Sequence, residues 1–316
     1  MSDQINEWER SVLEKLAMSA VQEQRRARRW GIFFKLATFA YITFILVMIT
    51  GWISGDSALM TGKHTALIEL NGVITEKSSA SADNLIASLQ TAFSDKGTQG
   101  VVLRINSPGG SPVQAGLVYD EIRRLRVLYP DIPLYAVVED ICASGGYYIA
   151  AAADKIYVNK ASIVGSIGVL MDGFGFTGTM NKMGVERRLL TAGDNKGFMD
   201  PFSPRNPKHE AFTKAMLEEI HQQFIAVVKE GRGKRLKATP EIFSGLFWSG
   251  QKSIELGLSD EIGSLGSVSR DVIKEKNIVD FTMQEGLADR LSKRFGAGVA
   301  SAFPGLSTQA GSFNLR

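Results

Sequence analysis

The sequence is poor in the residues that usually build disulfide frameworks, metal centres and histidine-based catalytic sites. Its 316 residues include one cysteine, Cys142, and three histidines, His64, His209 and His221. A single thiol excludes an intramolecular disulfide, and no Cys/His cluster is present to hold a structural metal. We therefore expect no metal and no other cofactor, and we interpret Cys142 as a small buried packing residue.

Charge of one sign is not in large excess either. The chain has 36 basic and 33 acidic side chains, a formal net charge of +3. This near balance gives no electrostatic signature of a nucleic-acid partner, so none is expected. With 44% hydrophobic residues, the chain has enough apolar material for one large domain or two modest ones. We find no internal repeat.

One long apolar run, between Leu36 and Ile53, contains no charged residue. Its length suits a bilayer core of about 30 Å, and Trp30 and Trp52 lie where the two interfaces would be. Arginines precede the run, so the positive-inside rule predicts a single-pass helix with a cytoplasmic N-terminus. Everything after Ile53 would then face the periplasm or the outside of a bacterial cell. A cleaved signal peptide is the alternative, but Ser54–Leu59 only weakly resembles a cleavage site.

The run divides the chain into predicted segments that differ in composition. They are a cytoplasmic amphipathic and basic segment (1–35), a transmembrane helix (36–53), a polar linker (54–63), a globular domain (64–295) and a flexible tail (296–316).

Apolar periodicity within the globular domain predicts strands and helices in alternation. The predicted strands are 66–74, 100–105, 134–138, 156–158 and 188–191, and the predicted helices are 78–93, 113–128, 141–153 and 207–230. This order indicates an α/β fold with a mostly parallel sheet and right-handed crossovers. In such folds the ligand site lies at the carboxyl ends of the strands.

Two glycine-rich clusters follow neighbouring strands of this predicted sheet. One is NSPGGS at 106–111 and the other is ASGG at 143–146, which contains Ser144. Small neighbours leave the Ser144 hydroxyl open to a substrate carbonyl, and two exposed backbone segments are what a developing oxyanion requires. The alternative is a glycine-rich turn in which Ser144 caps the following helix.

A nucleophilic serine needs a proton acceptor, and the three histidines are poor candidates. His64 falls at the linker, while His209 and His221 fall in or beside the predicted amphipathic helix. A lysine serves instead if burial lowers its pKa enough to release a neutral amine. Lys196 fits this role best, because it lies among small residues on a loop outside the periodic segments.

These segments resemble the signal peptide peptidase A family of membrane-anchored serine peptidases, family S49. The resemblance rests on VVLRINSPGGSP, DICASGGYYIAAAADKIYVNKASIVGSIGV and TAGDNKGFMDPFSP, which span Val101–Pro204 in that order. It implies a Ser-Lys dyad of Ser144 and Lys196, with Ser166 orienting the lysine amine. The resemblance also implies an oxyanion hole from the N–H of Gly145 and that of Gly109 or Gly110, a choice that the sequence leaves open.

The resemblance further implies a Clp protease/crotonase-like core of repeated ββα units. A single copy matches the single-length members, which form ring-like homo-oligomers at the bacterial inner membrane with the catalytic domain in the periplasm. Their substrates are cleaved signal peptides and other unstructured hydrophobic peptides. A strand edge at 168–171 is a candidate for binding such a peptide by strand addition.

Two other functions use the same fold. A crotonase-like enzyme would use the glycine N–H groups on an acyl-CoA thioester, and a catalytically silent scaffold would use no dyad at all. The histidine-dependent Clp type is excluded, because no histidine lies between Ser144 and Lys196.

Overall fold

The computed structural model describes Met18 and residues 23–45 and 62–283. Residues 23–45 are helical (α1) and belong to one unit, and residues 62–283 form an α/β domain in a second unit. No helix in these described ranges is both long and apolar enough to cross a membrane. The last part of the predicted span, 46–53, lies outside the described residues, as does the predicted tail at 296–316.

The α/β domain is built on one eight-stranded sheet. In chain order the strands are β1 His64–Asn71, β2 Thr98–Ser107, β3 Leu134–Ala143, β4 Lys155–Val158, β5 Ile163–Gly165, β6 Phe247–Ser249, β7 Glu261–Ile262 and β8 Ile278–Asp280. The main path runs β6-β5-β3-β2-β1-β8, with β4 pairing to β3 and β7. All pairs are parallel except β5 with β6, so the predicted mixed α/β fold with a mostly parallel sheet is confirmed.

Helices pack on both faces of this sheet. They are α2 Ala82–Ser94, α3 Pro112–Leu128, α4 Gly145–Ala150, α5 Thr177–Lys182, α6 Pro207–Arg232, α7 Gly250–Glu255 and α8 Leu265–Ser267, of which α5 has no buried residue. Val101, Leu103 and Ile105 of β2 pack into the main core, while Val102 faces a smaller cluster with Val268 on the opposite side. Because both faces are buried, residues 101–105 in the middle of β2 are apolar except for Arg104.

The third strand changes its pairing partner along its length. Residues 135–137 of β3 pair with β4, whereas residues 141–143 pair with β5. The helix predicted over 141–153 is therefore wrong at its start, because Ile141, Cys142 and Ala143 are strand and α4 begins only at Gly145. Their apolar character suits a buried strand end as well as a helix, and periodicity cannot separate the two over so few residues.

Two further predictions are wrong. Residues 188–191 form no strand and are exposed, so their apolar side chains do not belong to the sheet. His64 lies in β1 rather than beside a linker, is 1% exposed, and has its Nε2 3.3 Å from Thr98 Oγ1.

A buried ion pair joins the end of α6 to the segment that leads into β7. The Arg232 side chain is fully buried and donates to both carboxylate oxygens of Asp260 at 2.8 Å, and to the Gly257 carbonyl oxygen at 2.8 Å. Burial alone would raise the pKa of Asp260, but hydrogen bonds and charge from Arg232, with the Ile156 N–H and Arg235, hold that pKa below its ordinary value.

Replacing Asp260 with alanine should lower the free energy of unfolding by about 3–5 kcal/mol, because Arg232 stays buried without its counter-charge. The measurement is urea unfolding at neutral pH. Since the folded pKa of Asp260 is lowered, its stabilisation is present above the unfolded pKa and is lost as pH falls through the folded one. The control is Glu255→Ala, which removes an exposed pair with Lys252 and should cost less than about 1 kcal/mol. Equal losses in the two variants would contradict this assignment.

Candidate active site

Ser144 lies in the turn between β3 and α4. Its φ is 51° and its ψ is −123°, a conformation that a residue with a side chain seldom adopts. The Ser144 N–H donates to the Gly165 carbonyl oxygen at 2.9 Å, and the Ser144 carbonyl accepts from Tyr148 N–H at 2.9 Å. The strained turn is thus held from both sides, and the side chain makes no capping hydrogen bond. The alternative that Ser144 is simply a helix cap is not supported by this geometry.

The loop after β2 packs closely against this turn. A Cβ on Gly109 would lie 2.6 Å from Ser144 Cβ and 2.7 Å from Gly145 N, and the φ of Gly109 is +101°. A Cβ on Gly110 would lie 2.1 Å from the Ile74 carbonyl oxygen. Only glycine fits at either position, because both the space and the backbone conformation exclude a side chain.

The two glycines differ in what their N–H groups already bind. The Gly109 N–H donates to Ser107 Oγ at 3.1 Å, and that hydroxyl donates to the Gly72 carbonyl at 2.6 Å. Within residues 62–283, no acceptor is bonded to the N–H of Gly110. Gly110 N lies only 3.3 Å from where a Cβ on Gly145 would be. The geometry therefore favours Gly110 over Gly109 as a donor beside Gly145.

Ser166 follows β5 in the same way that Ser144 follows β3. The parallel register pairs Ala143 with Gly165, so Ser144 and Ser166 are the next residues on the two strands. Ser166 has a φ of 54°, and its N–H donates to the Leu246 carbonyl at 2.7 Å. The structure thus brings the two serines together at neighbouring strand ends.

A cavity of about 530 Å³ opens over these strand ends. Gly110, Ser144, Gly145 and Ser166 line its polar part. Its apolar lining comes mainly from Pro112, Tyr148, Val169, Leu170, Ile220 and Phe224. Ile220 and Phe224 are four residues apart on α6, and their place beside Ser144 depends on how α6 packs on α4.

Aromatic side chains pack against one another at the wall of this cavity. The Tyr148 ring packs edge-on against Tyr119, with centroids 5.6 Å apart, and at a tilt of 41° against Phe224, with centroids 5.1 Å apart. Partial burial raises the pKa of Tyr148, so its hydroxyl stays neutral near pH 7. The wall is therefore apolar and uncharged, and is suited to apolar side chains of a ligand.

Lys196 does not line the cavity and is exposed in the single chain. Its N–H donates to the Gly193 carbonyl at 3.0 Å within a series of turns. Residues 172–205, here called the arm, carry Lys196 and many exposed apolar side chains. Leu190 is 96% exposed, Phe174 79% and Met183 72%. Within residues 62–283, the Lys196 side chain therefore remains exposed.

None of the other lysines and histidines near these segments is among the residues that line the cavity. Lys155 Nζ pairs with Glu261 at 2.7 Å, and Lys160 is exposed. His209 packs against Phe198 at a tilt of 39°, with ring centroids 4.8 Å apart. His221 lies next to the cavity, but its Nε2 is 3.2 Å from the Ile167 carbonyl oxygen. Cys142 is fully buried, which raises the pKa of its thiol far above the usual range and confirms the prediction of a packing residue.

Comparison with known proteins places this site in a family. The sequence model of peptidase family S49 matches residues 128–279, a range that includes Ser144, Ser166 and Lys196. A provisionally named signal peptide peptidase SppA of Enterococcus faecium is 30% identical over 233 residues, 71% of this chain and 67% of that protein. A provisionally named protease of Methanocaldococcus jannaschii is 30% identical over 231 residues, 70% of this chain and 73% of that protein. The chain belongs to peptidase family S49.

One relative of this S49 chain is named as an antiporter rather than as a peptidase. The Na⁺/H⁺ antiporter NhaA of Brucella abortus is 47% identical over 188 residues, 60% of this chain. Those residues are 25% of the antiporter, so the S49 chain spans about a quarter of that relative's length. The antiporter name belongs to the whole of that protein and carries no transport function over to this chain.

Replacing Gly109 with alanine should lower the free energy of unfolding by about 1–3 kcal/mol, because the new Cβ overlaps Ser144 Cβ and Gly145 N. The control is Gly116→Ala, at an open position in α3, where the same change should stabilise by about 0.5–1 kcal/mol. Urea unfolding measures both. A Gly109→Ala protein as stable as the wild type would show that the two loops are not packed this closely.

Proposed function

We propose that the chain is a membrane-anchored serine endopeptidase in which Ser144 is the nucleophile and Lys196 the general base. The observation that carries the proposal is the strained Ser144 turn in the cavity, next to the N–H groups of Gly110 and Gly145. A strained turn projects the hydroxyl away from the backbone, and the neighbouring donors suit a tetrahedral oxyanion.

The reaction uses the base twice. Ser144 Oγ attacks the peptide carbonyl carbon while its proton passes to the neutral amine of Lys196. The carbonyl oxygen becomes an oxyanion that accepts from the Gly110 and Gly145 N–H groups. The C–N bond then breaks as the lysine ammonium gives its proton to the leaving amine. Water then attacks the acyl-enzyme carbonyl while Lys196 again takes a proton. The ester C–O bond breaks as the lysine ammonium returns that proton to Ser144 Oγ, and the Ser166 hydroxyl orients the amine.

A second copy of the chain supplies Lys196 in this proposal. The exposure of Lys196 and its absence from the cavity of its own chain support an intermolecular arrangement. The apolar stripe of α6 also runs past the core, since Phe212 is 66% exposed while Phe224 is 4% exposed. Covering the arm and Phe212 with a neighbouring copy would bury this apolar surface and would desolvate the lysine amine. We therefore propose that copies of the chain assemble into a ring-like homo-oligomer.

Unstructured hydrophobic peptides, such as cleaved signal peptides, are the proposed substrates. The uncharged wall formed by Tyr148, Ile220 and Phe224 suits apolar side chains. Between Gly168 and Gly175 the backbone N–H groups have no acceptor within residues 62–283. Such a segment can pair with an extended peptide, which requires the substrate to be unfolded.

The fold family of the domain and the cellular location of the protein are part of the same proposal. The parallel sheet with β3 shared between β4 and β5 is consistent with a Clp protease/crotonase-like core. The apolar residues of α1 are exposed along its length, including Phe39 at 70% and Phe44 at 62%, as expected of a helix with a lipid-facing surface. We propose one span over 36–53 in the bacterial inner membrane, with the peptidase domain in the periplasm.

Ser144→Ala and Lys196→Ala should each reduce hydrolysis of an apolar peptide by at least about 10³-fold, because each removes a group that acts in every turnover. Co-assembly of the two inactive variants should restore about a quarter of the wild-type rate if sites form between copies. The control is Lys182→Ala, another exposed lysine of the arm, which should stay active.

Four outcomes would revise this proposal. Full activity of Ser144→Ala or Lys196→Ala would remove that residue from the dyad. No recovery on co-assembly would place both groups in one chain. An oligomeric wild type that hydrolyses no peptide would support a catalytically silent scaffold, which the exposure of Lys196 also permits, and acyl-CoA turnover would support a crotonase-like enzyme.

The anchor is tested by placing two charges in α1. Full-length chain with Ile42→Arg and Ile45→Arg should be recovered in the soluble fraction after alkaline extraction of membranes, since each arginine costs about 2.5–3.5 kcal/mol at the centre of a span. The paired leucine substitutions are the control and should remain in the membrane pellet. Extraction of the wild-type chain itself would contradict the anchor.

A further inference from the structure

Ser166 occupies a left-handed conformation that its neighbours must maintain. An isolated non-glycine residue at φ 54° is disfavoured by roughly 1 kcal/mol or more, so it persists only where the surroundings hold it. Three hydrogen bonds do so here. Ser144 N–H donates to Gly165 O at 2.9 Å, Ser166 N–H donates to Leu246 O at 2.7 Å, and His221 Nε2 lies 3.2 Å from Ile167 O.

His221 makes the one side-chain contact among these three. The other two join backbone to backbone and survive any change of side chain. His221 is half-buried on α6. Its neighbours on that helix, Ile220 and Phe224, form part of the cavity wall. A contact from this helix therefore joins the segment after Ser166 to the helix that forms part of the cavity wall.

The chemistry of this contact determines where the imidazole proton lies. A carbonyl oxygen only accepts, so His221 Nε2 must carry hydrogen, either in the neutral ring or in the cation. Both forms donate to Ile167 O. Nε2 engaged in this way cannot take a proton from Ser144. Nδ1 stays basic in the neutral ring, but His221 is not among the residues that line the cavity, so we keep Lys196 as the proposed base.

We propose that His221 is a positioning residue for the catalytic centre: by holding Ile167 O, it fixes Ser166 and the start of the 168–171 segment against the cavity. This inference rests on the proposed peptidase function. Without the donor, Ser166 relaxes toward an ordinary conformation and its hydroxyl no longer meets the Lys196 amine. A misplacement of about 1 Å in a catalytic constellation costs up to about 100-fold in rate.

Two isosteric variants of the full chain test this role. Glutamine places its amide nitrogen where histidine has Nε2, whereas methionine has the same length, no donor and a good helix propensity. His221→Met should lower kcat at least about tenfold with KM within about twofold, because the loss is in positioning rather than in binding. His221→Gln should restore kcat to within about threefold of the wild type.

A matched control and a stability measurement separate positioning from folding. Gln222→Met, the next residue on the same helix, removes only an exposed hydrogen bond to Glu218 and should retain wild-type kcat. The thermal midpoints of His221→Met and His221→Gln should agree within a few degrees, and kcat is expressed per folded protein.

The proposal is overturned if His221→Met has the wild-type kcat, if His221→Gln is as impaired as His221→Met, or if the loss follows the folded fraction alone. Labelling of Ser144 by a serine-directed phosphonate is measured in parallel. A wild type that neither hydrolyses peptide nor labels would refute the peptidase function. A wild type that does both, beside a fully active His221→Met, would refute only the role of His221.

Discussion

The close approach of two backbone segments is the constraint on which the site depends. Gly109 passes so near to Ser144 and Gly145 that no Cβ fits between them, and Gly110 N lies 3.3 Å from where a Cβ on Gly145 would be. This contact holds Ser144 in its unusual conformation and leaves the N–H of Gly110 beside the same turn. Glycine is needed here for proximity as much as for flexibility, because a side chain would push the donors away from the serine.

The sheet makes that approach possible. Residues 135–137 of β3 pair with β4, and residues 141–143 pair with β5. The carboxyl end of β3 therefore lies beside Ser166, which follows β5. The hydrogen bond from Ser107 Oγ to the Gly72 carbonyl joins the ends of β2 and β1 at the same edge. Parallel strands place these turns side by side, which is why the cavity lies at their carboxyl ends.

Much of this could be read from local pattern. The strands β1, β2 and the first part of β3, and the helices α3 and α6, follow from apolar periodicity, because each is long enough for its period to be clear. The errors lie in short or exposed segments. Residues 141–143 continue a strand because β5 pairs with them, and 188–191 have an apolar composition but no partner strand. Neither fact is encoded by neighbouring residues.

The sequence by itself determined the α/β alternation, the glycine clusters at strand ends and the set of residues with suitable chemistry, because these properties are local to the chain. The tertiary structure decided how those residues are used. It showed that the Gly109 N–H is already bonded to Ser107, that Lys196 is exposed on the arm, and that His221 contacts Ile167. These relations join segments that are distant or differently oriented, and only packing of the whole domain brings them together or keeps them apart.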